Sequence, residues 1–147
     1  LENLLHPAPG RCSPKVDFDL LEKVGLTILE RRVPALDSAE NYKCAQFVFK
    51  IILPELQLTN NPGFPHDLFD GPDRFLADYN FQRVLVPGDG DVLAYISAGE
   101  RYVHAKHFGI FRENKVISKF GVGHIFRHDI EQVPLFYGEK VIFYRGL

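Results

Sequence analysis

The sequence predicts an α+β protein whose helices come first and whose antiparallel sheet follows. Before residue 57 apolar residues recur at the spacing of amphipathic helices, and from Phe81 onward short alternating runs between turn residues indicate strands. Helices that precede a strand meander pack as a layer on the sheet. At 147 residues the chain suits one domain. We place this domain at residues 16–147, after an irregular, proline-containing lead over residues 1–15.

Two N-terminal helices are predicted from the spacing of apolar residues. The first runs from Asp17 to Arg32, and its apolar face consists of Leu20, Leu21, Val24 and Ile28. The second begins near Ser38 or Asn41, either of which can cap a helix, and ends or kinks at Pro54. Its apolar stripe consists of Cys44, Phe47, Val48, Ile51 and Ile52. The stripe predicts that this helix is buried along one side against the sheet.

A loop, a short helix and a set of strands are predicted in the rest of the chain. Residues 57–66 are predicted as a loop, and Gly71-Pro72-Asp73 opens a short helix that continues toward Tyr79. The strands are placed at residues 81–86, 91–97, 102–112, 115–119 and 139–145. The segment Pro87-Gly88-Asp89-Gly90-Asp91 lacks the remaining ligands of a calcium loop, so we interpret it as a turn that enters a strand.

Composition and charge exclude several classes of function. The formal net charge is -2 with both signs mixed along the chain, so we expect no nucleic-acid partner. No apolar run approaches the roughly 20 residues of a membrane-spanning helix. The two cysteines form neither a disulfide framework nor a Cys-x-x-Cys pair, and we expect no metal and no cofactor. No secretion signal is visible, and the basic residues at 112, 115, 119 and 127 are interpreted as a solvated strand edge.

Cys44 is the candidate nucleophile. It lies in the opening turn of the second predicted helix, where unpaired backbone amides and the helix dipole favour a thiolate and stabilise an oxyanion. A cysteine thiol has an ordinary pKa of about 8.5 and needs such help to react at neutral pH. The alternative is a core residue without chemistry, since cysteine is commonly buried and Cys44 belongs to the apolar stripe.

His107 is the candidate base. Because side chains alternate along a strand, the residues predicted to share one face are Val103, Ala105, His107, Gly109 and Phe111. The small side chains on this face leave room for the helix end or a substrate beside the imidazole. The alternative is a polar histidine near a sheet edge.

A third residue must orient the imidazole in a cysteine hydrolase. Ser118 lies on the following strand, and a short hairpin connection brings it toward His107, so it is the first choice. His124 and His128, from the next loop, are the alternatives. Each of these residues also suits an exposed polar position without a catalytic role.

Three sequence blocks resemble the NlpC-type peptidases of the papain-like clan. Tyr42-Lys43-Cys44-Ala45-Gln46-Phe47-Val48 is similar to the nucleophile block of the family, although Lys, Ala and Gln replace its Asp, Ser and Gly. Pro87-Gly88-Asp89-Gly90-Asp91-Val92-Leu93-Ala94-Tyr95 resembles the Pro-Gly-Asp strand entry of the family. His107-Phe108-Gly109-Ile110-Phe111 resembles the strand that carries its catalytic histidine. The resemblance covers residues 38–145.

The resemblance implies a papain-like, NlpC-type fold and a cysteine hydrolase or amidase. In this hypothesis His107 takes the proton from Cys44, the thiolate attacks an amide carbonyl to form a thioester, and Ser118 is the third residue. The implied partner is a peptide or protein amide. It is either a peptidoglycan stem peptide or a side-chain amide that a secreted or delivered toxin or effector hydrolyses, deamidates or exchanges.

Two other functions are compatible with the sequence. The altered nucleophile block suits a catalytically inactive papain-like binding module, in which Cys44 and His107 do not meet. A metal-dependent hydrolase would use His104, His107 and a later histidine. The predicted placement of His104 and His107 on opposite strand faces argues against shared ligation.

Overall fold

The computed structural model describes residues 5–7, 14–16, 27–30, 44–56, 66–97, 103–120 and 125–147. Its helices are α1 (Cys44–Ile52), α2 (His66–Asp70) and α3 (Pro72–Ala77), and 3-10 turns lie at Pro54–Leu56 and Leu135–Tyr137. Its strands are β1 (Leu5–Pro7), β2 (Pro14–Val16), β3 (Thr27–Glu30), β4 (Phe81–Val84), β5 (Val92–Ile96), β6 (Ala105–Arg112), β7 (Lys115–Lys119), β8 (Ile125–His128) and β9 (Lys140–Gly146).

Seven of these strands form one antiparallel sheet in the order β3-β8-β7-β6-β5-β9-β4. Helix α1 packs on β6 and β7, and α3 packs on β4. The predicted α+β class is confirmed. Strands β1 and β2 pair with each other as a separate two-stranded sheet, in the stretch that the sequence analysis assigned to an irregular lead.

Most element predictions after residue 43 are confirmed. The strands predicted from Phe81 onward are present as β4, β5, β6, β7 and β9, with small shifts at their ends. Helix α1 ends at Ile52, before Pro54, and α3 begins at Pro72. Helix α2 is absent from the prediction, and the predicted caps Ser38 and Asn41 lie outside the described residues.

The predicted helix over residues 17–32 is wrong at Thr27–Glu30, which forms strand β3; the rest of that helix lies outside the described residues. Strand β3 pairs with β8, which the sequence analysis also missed. Apolar spacing over so few residues suits either a helix or a strand, and the β-branched Thr27 and Ile28 favour a strand. Hydrogen bonding to a strand far along the chain therefore decides the conformation of β3.

The sheet has two buried faces with different partners. The face toward α1, called the helix face, contributes Val92, Ala94, Ile96, Ala105, Phe108, Ile110, Ile142 and Tyr144 to a core shared with the helices. Phe108 is central to it, because its ring centroid lies 5.5 Å from that of Phe49 in α1 and 5.3 Å from that of Phe69 in α2. The opposite face, called the far face, carries Leu93, Tyr95, Phe111, Val116, Phe120 and Phe126, against which Val133 packs.

A bulge in β6 changes which of its residues face the helices. Tyr95 pairs with His107, but Ile96 pairs with Ala105, so Lys106 is the extra residue. Ala105 therefore joins the helix-face core. The prediction that Ala105 and His107 share a face is wrong, because strict alternation does not continue across an inserted residue.

A polar corner attaches the turn between β4 and β5 to the end of β9. The buried Asp91 carboxylate accepts hydrogen bonds from Arg145 Nε at 3.0 Å, from Arg145 Nη2 at 2.8 Å and from the Gly88 amide at 2.7 Å. Gly90 has a φ of 89°, which favours glycine. The segment from Pro87 to Asp91 is therefore a turn, as predicted. Its buried Asp91 carboxylate binds Arg145 and the Gly88 amide.

Candidate functional site

Cys44 is the first residue of α1 and lies in the helix-face core. Its side chain is only 7% exposed, and it packs among apolar residues of α1 and of the sheet. Backbone amides at the start of a helix favour a thiolate, whereas burial among apolar groups favours the neutral thiol. The position of Cys44 is thus compatible with a nucleophile at a helix start and with a core residue without chemistry.

His107 lies on the far face, paired with Tyr95 of β5. It is 1% exposed, and the ring of Tyr137 stacks on its imidazole with a centroid distance of 4.3 Å and an interplanar angle of 8°. The rings of Tyr95 and Phe120 lie 5.5 Å and 5.7 Å from it. The imidazole Nε2 is buried and has no hydrogen-bond partner in the described part of the structure. His107 is therefore surrounded by aromatic rings, and no described residue offers an acceptor for its Nε2.

Cys44 and His107 lie on opposite faces of the sheet, so the predicted contact between thiol and imidazole is not made. Phe108 points toward α1, and consecutive residues in a strand point to opposite sides. The physical reason is that Phe108 and Ile110 bury more apolar area against the helices than histidine and glycine would. A general base must lie within hydrogen-bond reach of the proton that it takes. His107 does not lie within such reach of the Cys44 thiol.

Ser118 also lies on the far face, but its partner is His128 rather than His107. Ser118 Oγ lies 2.7 Å from His128 Nε2, and His128 Nδ1 lies 2.6 Å from the carbonyl oxygen of Asp129. Because a carbonyl oxygen only accepts, Nδ1 carries the proton, and Nε2 accepts the hydrogen bond that the serine hydroxyl donates. The prediction that Ser118 orients His107 is thus corrected: a cross-strand pair forms between Ser118 and one of the alternative residues.

Both histidines of the far face are neutral at pH 7. Burial lowers the pKa of His128 to about 4, against the opposing effect of its bond to the Asp129 carbonyl. Burial also lowers the pKa of His107 well below its usual 6.5, and the nearby His128 lowers it further. We call His107, Ser118 and His128 the histidine cluster. It is a buried, uncharged polar group among aromatic residues.

Residues 129–138, called the cover segment, lie over the histidine cluster. At its start Asp129 is held by the bond from His128 and by an ion pair with Lys115. The carbonyl of Ile130 accepts a hydrogen bond from the Tyr95 hydroxyl at 2.7 Å. Near its end lies the 3-10 turn whose last residue, Tyr137, stacks on the imidazole of His107. Sequence analysis missed this cover, because no local spacing signals a contact between a turn and a strand so far apart in the chain.

The remaining candidate residues do not join the cluster. His124 lies outside the described residues. His104 Nδ1 lies 3.3 Å from an Asp70 carboxylate oxygen at the surface. Lys119 is fully buried, and it alternates with Ser118 so that it faces the helix side, which corrects its predicted place in a solvated basic edge. Among the described residues no group of three or more His, Cys, Asp or Glu side chains is placed to hold a metal ion.

Comparison of the chain with protein-family models, with curated proteins and with solved structures found no match in any of the three. Within the described ranges, no helix has both the length and the apolar character needed to cross a membrane. The fold and the site define an α+β protein with a buried histidine cluster on the face of its sheet that points away from the helices.

Proposed function

We propose that this chain is a binding module built on an NlpC-like α+β scaffold and that it does not use a Cys44–His107 pair. The observation that carries the proposal is the placement of the thiol on the helix face and of the imidazole on the far face. The rings of Tyr95, Phe120 and Tyr137 lie against the imidazole, and Tyr137 is stacked flat on it. The proposed ligand class follows from the sequence resemblance and is a peptide or protein segment, with peptidoglycan stem peptides as one source.

The reactivity of Cys44 tests this proposal. In a Cys12→Ser background, the rate of alkylation by iodoacetamide is measured between pH 6 and 9 (about the range in which a thiol titrates) for the parent and for His107→Gln. The binding-module proposal predicts that Cys44 reacts more slowly than a small model thiol and that His107→Gln does not slow the reaction further. Alkylation faster than the model thiol at neutral pH, together with a marked slowing in His107→Gln, would refute it. His104→Gln is the matched control, because His104 is partly exposed.

A cysteine hydrolase or amidase is the second candidate, and the position of Cys44 at the start of α1 favours it. The thiolate would attack an amide carbonyl, the amine would leave with a proton, and water or another acceptor would release the acyl group from the thioester. Its base would be a group other than His107. This candidate predicts that Cys44→Ala abolishes the release of amine from peptide amides, whereas His107→Gln, in a variant shown to be folded, retains it.

A further inference from the structure

The cover segment rests on an imidazole at each of its two ends. At the start, His128 donates a hydrogen bond to the Asp129 carbonyl at 2.6 Å. Near the end, Tyr137 stacks flat on His107 at 4.3 Å. Beyond that stack the chain passes very close to β5, because a Cβ atom on Gly138 would lie 2.4 Å from the Ile96 carbonyl oxygen. Close backbone packing thus fixes the last residue of the segment, Gly138. Before that residue, the segment contacts one imidazole at its start and another near its end.

A neutral His107 suits this arrangement and a charged His107 does not. A proton added to His107 creates a buried cation whose Nε2 has no acceptor among the described residues. Such a charge is strongly disfavoured unless water or a counter-charge reaches it. The surrounding rings offer some cation–π attraction, but this replaces only part of the lost hydration. Moving Tyr137 off the imidazole is the direct way to admit water.

Protonation of His128 leaves its two hydrogen bonds in place. The Ser118 hydroxyl can turn and accept from a charged Nε2, so the pair itself survives protonation. The charge is nevertheless close enough to His107 to disfavour a second one on the same face. The charged or titratable groups facing the two imidazoles are Tyr95 from β5, Lys115 from β7, and Asp129, Glu131 and Tyr137 from the cover segment. The two carboxylates favour a charged His128 and Lys115 opposes it, and among the described residues no carboxylate acts on His107.

We propose that the cover segment is an acid-sensitive lid: protonation of His107 displaces Tyr137 and releases residues 129–138 from the far face while the helix face stays packed. Opening uncovers an aromatic surface that consists of Tyr95, Phe120 and Phe126. The existence of the lid does not depend on whether Cys44 has chemistry.

Hydrogen exchange of the whole chain, followed by mass spectrometry at pH 7 and pH 4.5 (about 2.5 pH units apart) with correction for the intrinsic rate, tests the lid. Peptides from the cover segment are expected to exchange about 10- to 100-fold faster at the lower pH, since each normal imidazole released shifts opening up to tenfold per pH unit. Peptides from β5 and α1 are expected to keep their protection. No change in the cover segment, or loss of protection everywhere at once, would overturn the proposal.

Two variants and a control connect the opening to the histidines. His107→Phe keeps a stacked ring that does not titrate, so most of the acid effect should disappear. If that variant does not fold, Tyr137→Leu removes the stack from the other side, and the segment should already exchange rapidly at pH 7. His104→Gln removes a surface histidine and should leave the acid effect unchanged. An undiminished acid effect in His107→Phe, or protection at pH 7 in Tyr137→Leu, would contradict the lid.

Discussion

Because two histidines are buried, we predict that the free energy of unfolding falls as the pH is lowered by about three units, from 7.5 to 4.5. His128 has a pKa of about 4 in the folded chain and about 6.5 when unfolded. Between these two values the unfolded chain binds more protons than the folded chain, so its contribution is fully present above 6.5 and is lost as the pH falls toward about 4. A tenfold change in proton affinity is worth about 1.4 kcal/mol, so His128 alone removes about 2.5 kcal/mol of unfolding free energy by pH 4.5. His107, whose pKa is lowered by burial, adds a loss of the same sign.

Urea denaturation at a series of pH values measures this loss for the parent and for His128→Asn. The parent should lose stability steadily across the window, and the variant should lose about 2.5 kcal/mol less over the same window because one titrating group is absent. Carboxylates act at lower pH: burial opposes the change, but hydrogen bonds from Arg83 and Tyr144 lower the pKa of Asp73 below its usual 3.8. The expected loss between pH 7.5 and 4.5 is about 2.5 kcal/mol. A free energy of unfolding that stays constant or rises over this range would instead show that the histidine cluster is hydrated.

Three further predictions concern single residues. Each is measured by urea denaturation at about pH 7.5, which is above the pH range in which the histidines titrate. Phe108→Ala should lower the free energy of unfolding by about 3–5 kcal/mol, because this fully buried ring joins the helices to the sheet; a loss under about 1 kcal/mol would contradict that role. Ser118→Ala should lower it by about 1–3 kcal/mol by leaving the buried Nε2 of His128 without its donor. Gly138→Ala should be more destabilising than Gly90→Ala, since both have a positive φ but only Gly138 meets backbone atoms; equal effects would argue against close packing there.

Sequence patterns were sufficient for the elements whose signals are local. Alternation and turn residues located β4, β5, β6, β7 and β9 but not β8, and prolines marked the end of α1 and the start of α3. The same patterns misassigned Thr27–Glu30, because the conformation of an edge strand depends on its partner. His107, Ser118 and His128 were named as candidates from the sequence, but the contacts predicted for them differ from those in the structure. Ser118 bonds to His128, and His107 meets Tyr137, a residue without any local signal.

By itself the sequence determined the α+β class and most of the elements after residue 43, because each depends on the period of nearby residues. Only the tertiary structure decided which face of the sheet each side chain occupies. Packing of α1 against Phe108 selected one face of β6 for the helices and left His107 for the other. That choice separates the thiol from the imidazole. It follows from competition among long-range apolar contacts, which no spacing within a strand records.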